Sequence, residues 1–118
     1  MSPQATDSLQ IEERFGAQPD QRILTLTGPV VLATLFRFQD AIRSKPSRTL
    51  IIDFAGVPYI DSAGIGALVG AYVTHNKDGR TLGLVGVCER VRNTLKITHV
   101  ETLFRFFPTL DSALQASS

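Results

Sequence analysis

The sequence predicts an α/β protein. It reads as one domain on a mostly parallel sheet of roughly four to five strands, with an antiparallel strand at the N-terminal edge and about four helices. Three observations carry this. Short apolar or alternating runs at 9–15, 22–27, 50–54, 81–85 and 103–107 punctuate the chain, and segments of helical period separate the later ones. Only the first two runs are joined by a link short enough for a hairpin. Every later pair is separated by a helix-length segment, which calls for parallel pairing through right-handed crossovers. The chain has 118 residues, 43% of them hydrophobic, which suits one domain with one core. The expected boundaries are a polar tail over 1–8, the domain over 9–115 and a tail over 116–118.

Leu9-Gln10-Ile11-Glu12-Glu13-Arg14-Phe15 alternates apolar and polar residues, as a half-exposed strand does. Gly16 to Asp20 is turn chemistry, and Arg22 to Thr27 is the second strand, stopped by Gly28-Pro29. From Leu32 the period lengthens. Leu32, Leu35, Phe36, Gln39 and Ile42 fall on one helical face, leaving Arg37, Asp40, Arg43 and Lys45 for solvent, and Pro46 ends the helix. Leu50 to Phe54 is apolar except for Asp53, the pattern of a strand covered on both faces. A helix is expected from about Ser62 to Lys77, with Gly79 as its C-cap residue. Thr81 to Val85 is a buried strand. Glu89 to Thr98 is a helix with Val91, Leu95 and Thr98 on one face. Leu103 to Phe107 is a last strand, and Pro108 to Ser112 opens a helix through about Gln115.

Composition excludes several classes of function. Twelve Lys and Arg against eleven Asp and Glu give a net charge of +1, which is no electrostatic footprint for nucleic acid or an anionic membrane. One cysteine, Cys88, cannot form an internal disulfide and suits a reducing compartment. Met1 to Ser8 is polar and lacks the apolar core of a secretory signal. The apolar run Ile60 to Val73 is interrupted by Asp61 and Ser62 and is too short to span a bilayer. A cytoplasmic setting is therefore expected.

No metal or cofactor is called for. His75 and His99 have no Cys, Asp or Glu at ligand spacing, and His75 reads as a solvated side chain near a helix end. Cys88, just before a helix start, reads as structural. The chain has neither a P-loop nor a GxGxxG pattern. A serine hydrolase needs a glycine two residues before its nucleophile. Ile60-Asp61-Ser62-Ala63-Gly64 lacks it, and no histidine is placed for a triad. The protein is not expected to be an enzyme.

What remains is the stretch Val57-Pro58-Tyr59-Ile60-Asp61-Ser62-Ala63-Gly64-Ile65-Gly66. Asp61 and Ser62 are both good helix caps. Gly64, Gly66 and Gly70 each lower helix propensity by roughly 1 kcal/mol relative to alanine, which points to close approach of another backbone. Part of that approach is helix against sheet, and part is a partner protein against the helix start. Tyr59, Ile60, Ala63, Ile65 and Gly66 are candidates for a small, flat, apolar surface around Ser62. A phosphate there adds about −1.5 to −2 charge beside Asp61. The helix N-terminus tolerates this charge, and a close apolar interface does not.

These residues resemble the STAS family, the sulfate-transporter and anti-sigma-factor-antagonist domains. The likeness rests on Asp53-Phe54, on Val57 to Gly66, on Thr81-Leu82-Gly83-Leu84-Val85-Gly86 and on Val91 to Thr98, and extends from about Leu9 to Leu114. It implies a STAS-like fold and a non-enzymatic partner switch of the anti-sigma factor antagonist type. By this likeness Ser62 is the phosphoacceptor of an anti-sigma factor that is also a serine kinase. The unmodified form binds that kinase and frees the sigma factor, and a serine phosphatase restores it. Asp61, Tyr59, Ile60, Ala63, Gly64, Ile65 and Gly66 are the implied partner-contacting residues. Two positions depart from the family pattern. The turn Gly28-Pro29-Val30-Val31 lacks the family's acidic residues, which points to a different partner or to self-association through Pro29, Val30 and Val31. Cys88 stands where the family often has a capping serine. Two other readings stay open: a scaffold or regulatory subunit of a larger signalling or transporter-associated complex, and a module taking a small ligand or nucleotide at the helix N-terminus.

Overall fold

The computed structural model describes residues 8–18 and 20–116. Most of the expected N-terminal tail (1–7) and the end of the C-terminal one (117–118) lie outside the described residues. The strands are β1 (Gln10–Phe15), β2 (Gln21–Thr27), β3 (Thr49–Gly56), β4 (Thr81–Val85) and β5 (Arg105–Phe107). The helices are α1 (Leu35–Arg43), α2 (Ser62–Lys77), α3 (Glu89–Ile97) and α4 (Leu110–Ala116). The five strands form one sheet in the order β1-β2-β3-β4-β5. β1 pairs with β2 antiparallel, and each later neighbour is parallel. The short link between β1 and β2 permits the hairpin, while each parallel pair is bridged by a helix.

The pleat sends alternate residues of the central strands into two layers. Leu24, Leu26, Leu50, Ile52, Phe54 and Leu84 face a large core closed by Phe38 of α1, Leu68 of α2 and Val91 and Leu95 of α3. Ile23, Ile51 and Val85 face the other way and are covered by Ala113, Leu110 and Leu114 of α4. β3 is therefore covered on both sides, which explains its near-continuous apolar run.

Some boundaries and faces differ from the sequence reading. A 3-10 turn over Leu32–Thr34 precedes α1, so Leu32 is out of phase with the helix that follows. The inward stripe is Leu35, Phe38, Ala41 and Ile42; Leu32 is 68% and Phe36 75% exposed. β5 starts at Arg105 because Glu101–Leu103 forms another 3-10 turn. Ala116, expected in the tail, ends α4.

α2 ends in a Schellman motif. Gly79, at φ +71°, donates to the Asn76 carbonyl, and Arg80 donates to the His75 carbonyl. His75 itself is buried, contrary to the solvated reading, because it lies on the inner face of α2 one turn after Ala71. Its Nδ1 lies 2.9 Å from the Ala71 carbonyl oxygen, which only accepts, so Nδ1 carries the proton of the neutral ring. Burial holds its pKa below the usual histidine value, against the opposing pull of that hydrogen bond.

Arg22, on β2, is the largest fully buried side chain. All five of its N–H donors are used. Nε donates to Glu13 on the neighbouring strand, Nη1 to the Ile42 and Lys45 carbonyls, and Nη2 to the Ala41 carbonyl and Ser44 Oγ. The guanidinium therefore caps the C-terminus of α1, where orphan carbonyls and the helix dipole favour a cation. Glu13 and Arg22 lie on paired strands, and the hydrogen bond from Arg22 is the main cause holding the Glu13 carboxyl below its usual pKa.

Candidate functional site

Parallel strands release their loops at one edge of the sheet, where open α/β sheets usually place their working residues. Here the loop after β2 (28–31) and the loop after β3 (57–61) lie side by side and are hydrogen-bonded to each other. Gly28 donates to the Gly56 carbonyl at 3.0 Å, Val30 to Tyr59 at 3.2 Å and Asp61 to Val30 at 3.3 Å. Val30 and Ile60 form a short parallel bridge. From the third loop, the Cys88 thiol donates weakly to the Val57 carbonyl at 3.6 Å. Cys88 occupies the N-cap position of α3 without a side-chain capping bond.

Asp61 is the N-cap of α2. Its Oδ1 accepts the Gly64 N–H at 2.9 Å, and its Oδ2 accepts the Leu32 N–H at 3.0 Å. Because Asp61 takes the cap, Ser62 becomes the first helical residue. It is exposed, and its hydroxyl makes no hydrogen bond among the described residues. Ser62 is thus a nucleophilic oxygen on a helix N-terminus, next to one carboxylate, with no structural task of its own.

The three glycines separate into two kinds. A Cβ on Gly64 would sit 2.2 Å from the Val30 carbonyl oxygen, so only glycine fits there. The close approach is to the loop after β2, not to the sheet. Gly66 and Gly70 have no atom within 4 Å of that position, so packing of the helix against the sheet accounts for neither.

The expected surface also divides. Tyr59, Asp61 and Ala63 are half-buried, and Ser62 and Gly66 are exposed. Ile60, Gly64 and Ile65 are buried and offer no surface, because the crossing loop covers Ile60 and Gly64 and the core takes Ile65. Pro29, Val30 and Val31 are likewise buried. They therefore offer little surface for the self-association expected through them, and Val30 joins the core under the paired loops. The exposed apolar residues of this region are Leu32 and Phe36, four residues apart. Leu32 is tied directly to Asp61.

Two neighbours were missed by sequence reasoning. Leu32 was placed on a buried face, and its bond to Asp61 spans 29 residues. Arg90, at the start of α3, lays its guanidinium carbon 5.0 Å from the centre of the Tyr59 ring. Neither contact leaves a local signal in sequence. The arrangement presents no acid–base pair, and among the described residues no group of three or more His, Cys, Asp or Glu could hold a metal. No helix of the structure is long and apolar enough to cross a membrane.

The STAS domain family matches residues 9–113. An anti-sigma-B factor antagonist from Staphylococcus epidermidis is 31% identical over 62 residues, which cover 52% of this chain and 57% of the relative. A crystal structure of an anti-sigma factor antagonist from Mycobacterium paratuberculosis superposes with a TM-score of 0.83 at 24% identity, covering 95% of this chain and 96% of the other. The Bacillus protein SpoIIAA in its unphosphorylated form gives a TM-score of 0.73 at 17% identity over 93% and 96% of the two chains. At those identities the structural matches speak to the fold alone.

Proposed function

The chain belongs to the STAS domain family, and from that premise we propose that it is an anti-sigma factor antagonist, a non-enzymatic partner switch with Ser62 as its phosphoacceptor. The carrying observation is the division of labour at the start of α2: Asp61 makes both capping bonds, which leaves the exposed Ser62 hydroxyl uncommitted. The names of the similar proteins support the class, and one of them, SpoIIAA, has also been solved in its phosphorylated form.

In this reading the chain acts in the cytoplasm. The unmodified form docks its Ser62 face on an anti-sigma factor with serine kinase activity. Tyr59, Asp61, Ala63 and Gly66 lie at the contact, and Leu32 and Phe36 extend it as an apolar flank. Transfer forms a bond from Ser62 Oγ to the γ-phosphorus of ATP, breaks the bond to the β-phosphate and releases ADP, and the hydroxyl proton passes to the kinase. The dianion is carried easily on an exposed helix N-terminus. It opposes docking, because the interface would have to desolvate it beside the Asp61 carboxylate. A serine phosphatase resets the cycle.

The test is incubation with a cognate switch kinase and ATP, followed by mass spectrometry of the tryptic 49–77 peptide. Phosphate on Ser62, absent in Ser62→Ala, is expected, with kinase binding weakened about tenfold or more in Ser62→Asp. Labelling of Ser62→Ala equal to that of wild type sinks the proposal.

A further inference from the structure

We propose that the groove between α1 and α2 is a binding site for a small hydroxylated organic acid, whose apolar body lies over Gly66 and Gly70, whose hydroxyl donates to His75 Nε2 and whose carboxylate pairs with Arg43. The site does not involve Ser62, and it shares only Gly66 with the proposed partner contact.

The groove has a volume of about 300 Å³, at the lower end of the range for small-molecule pockets. Its floor is the surface of α2 at Gly66 and Gly70, one turn apart, and its opposite wall is the end of α1 with Ile42 and Pro46. The two glycines hold it open. Unlike Gly64, neither is forced by a neighbouring atom, yet each weakens the helix by about 1 kcal/mol relative to alanine. Packing gives no reason for them. An empty space over the helix does, since any larger side chain would fill it.

His75 is the second, independent observation. It is only 3% exposed, lines the groove and commits Nδ1–H to Ala71. Nε2 is then a lone-pair acceptor with no protein partner. The ring is otherwise buried, and Nε2 is reachable only from the groove side, where it offers its lone pair to a ligand hydroxyl or N–H group. Arg43, on the same groove, makes no hydrogen bond or ion pair among the described residues. Arg80, also on the groove, is engaged by Asp78 and the Ser47 carbonyl. The available cation therefore selects a carboxylate. Cations and polar groups at the rim, including Gln39 and Thr74, set the groove apart from an apolar seat for a helix or a second copy of the chain.

The probes are 4-hydroxybenzoate and the shorter 3-hydroxybutyrate, titrated into the full-length protein and followed by NMR. At least one is expected to give saturable shifts of the Gly66 and Gly70 amides and of the His75 ¹⁵Nε2 signal. Gly70→Leu should fill the groove and abolish the shifts, with melting temperature unchanged or raised. Gly66→Leu serves the same purpose should the first variant fail to fold. Arg43→Gln should weaken binding about tenfold, and Ser62→Asp should leave it unchanged. The proposal is overturned if neither probe shifts His75 Nε2 saturably, or if the shifts survive in a folded, groove-filled variant.

Discussion

The carboxylate of Asp61 and the backbone N–H of Leu32 are joined at 3.0 Å across 29 residues of sequence. Through its other oxygen the same side chain caps α2 at Gly64. One residue therefore serves two helical starts, those of α2 and of the 3-10 turn before α1. Each contains N–H groups that the helix itself cannot satisfy.

Asp61→Ala should lose about 2 kcal/mol of stability, at the upper end for removal of a cap. Asp61→Asn should lose about half as much, because one oxygen can still serve Gly64 while an amide N–H₂ cannot accept from Leu32. Urea denaturation measures both. Hydrogen exchange of the Leu32 amide should accelerate in Asp61→Asn while that of Gly64 changes little; equal acceleration at both contradicts the divided role.

The glycines of α2 should respond in opposite directions. Gly64→Ala pushes a Cβ into the Val30 carbonyl and should destabilise the protein by about 2–3 kcal/mol, as overpacking does. Gly66→Ala and Gly70→Ala meet nothing and should each stabilise it by up to about 1 kcal/mol. Thermal melts of the three variants would refute this if all moved the same way.

Arg22→Ala removes five donors at once and leaves the carbonyls at the end of α1 without their cation. A loss of about 3–5 kcal/mol is expected, the range for breaking a buried charged network. Arg22→Lys should recover little, since an ammonium cannot span the same acceptors. The measurement is the denaturation midpoint, with loss of the α1 amides from the protected set in hydrogen exchange.

His75 sets a pH dependence. In the unfolded chain its imidazole titrates near about 6.5, and burial lowers this value in the fold. Between the two values the unfolded state binds more protons, so stability rises with pH. The contribution of the neutral ring is complete above the unfolded pKa and is lost as pH falls through it toward the folded one. The melting temperature should drop between about pH 7 and about pH 5. His75→Gln should be less stable at neutral pH but show a flatter profile; an unchanged slope in that variant assigns the effect elsewhere. Glu13 acts separately, at more acidic pH, because its carboxyl is held below its usual value.

Much of the scaffold was legible in the sequence, for reasons particular to each segment. The span of α2 over Ser62–Lys77 and of β4 over Thr81–Val85 agreed with expectation, since both are bounded by strong local signals, an Asp cap, Gly79 and Gly86. The turning of α1 was not legible. Whether Phe36 or Phe38 points inward depends on a 3-10 turn that shifts the phase by a fraction of a turn. The burial of Arg22 was equally hidden, because its carbonyl partners lie 19 to 23 residues away. At the site, the cap and the exposed serine followed from local chemistry. The sinking of Pro29, Val30 and Val31 depends on two loops finding each other, which no short window reveals.

That pairing of loops has a consequence for the proposed switch. Three backbone hydrogen bonds and the Asp61–Leu32 tie clamp the segments 28–32 and 56–61 together, so neither can swing without unlatching the other. A charge placed on Ser62 would therefore meet a mount with no play. The modified and unmodified chains would share one shape and differ in the electric field they show an approaching partner. The message would be written on the outside of a rigid tile, legible to kinase and phosphatase alike, and erased without any refolding.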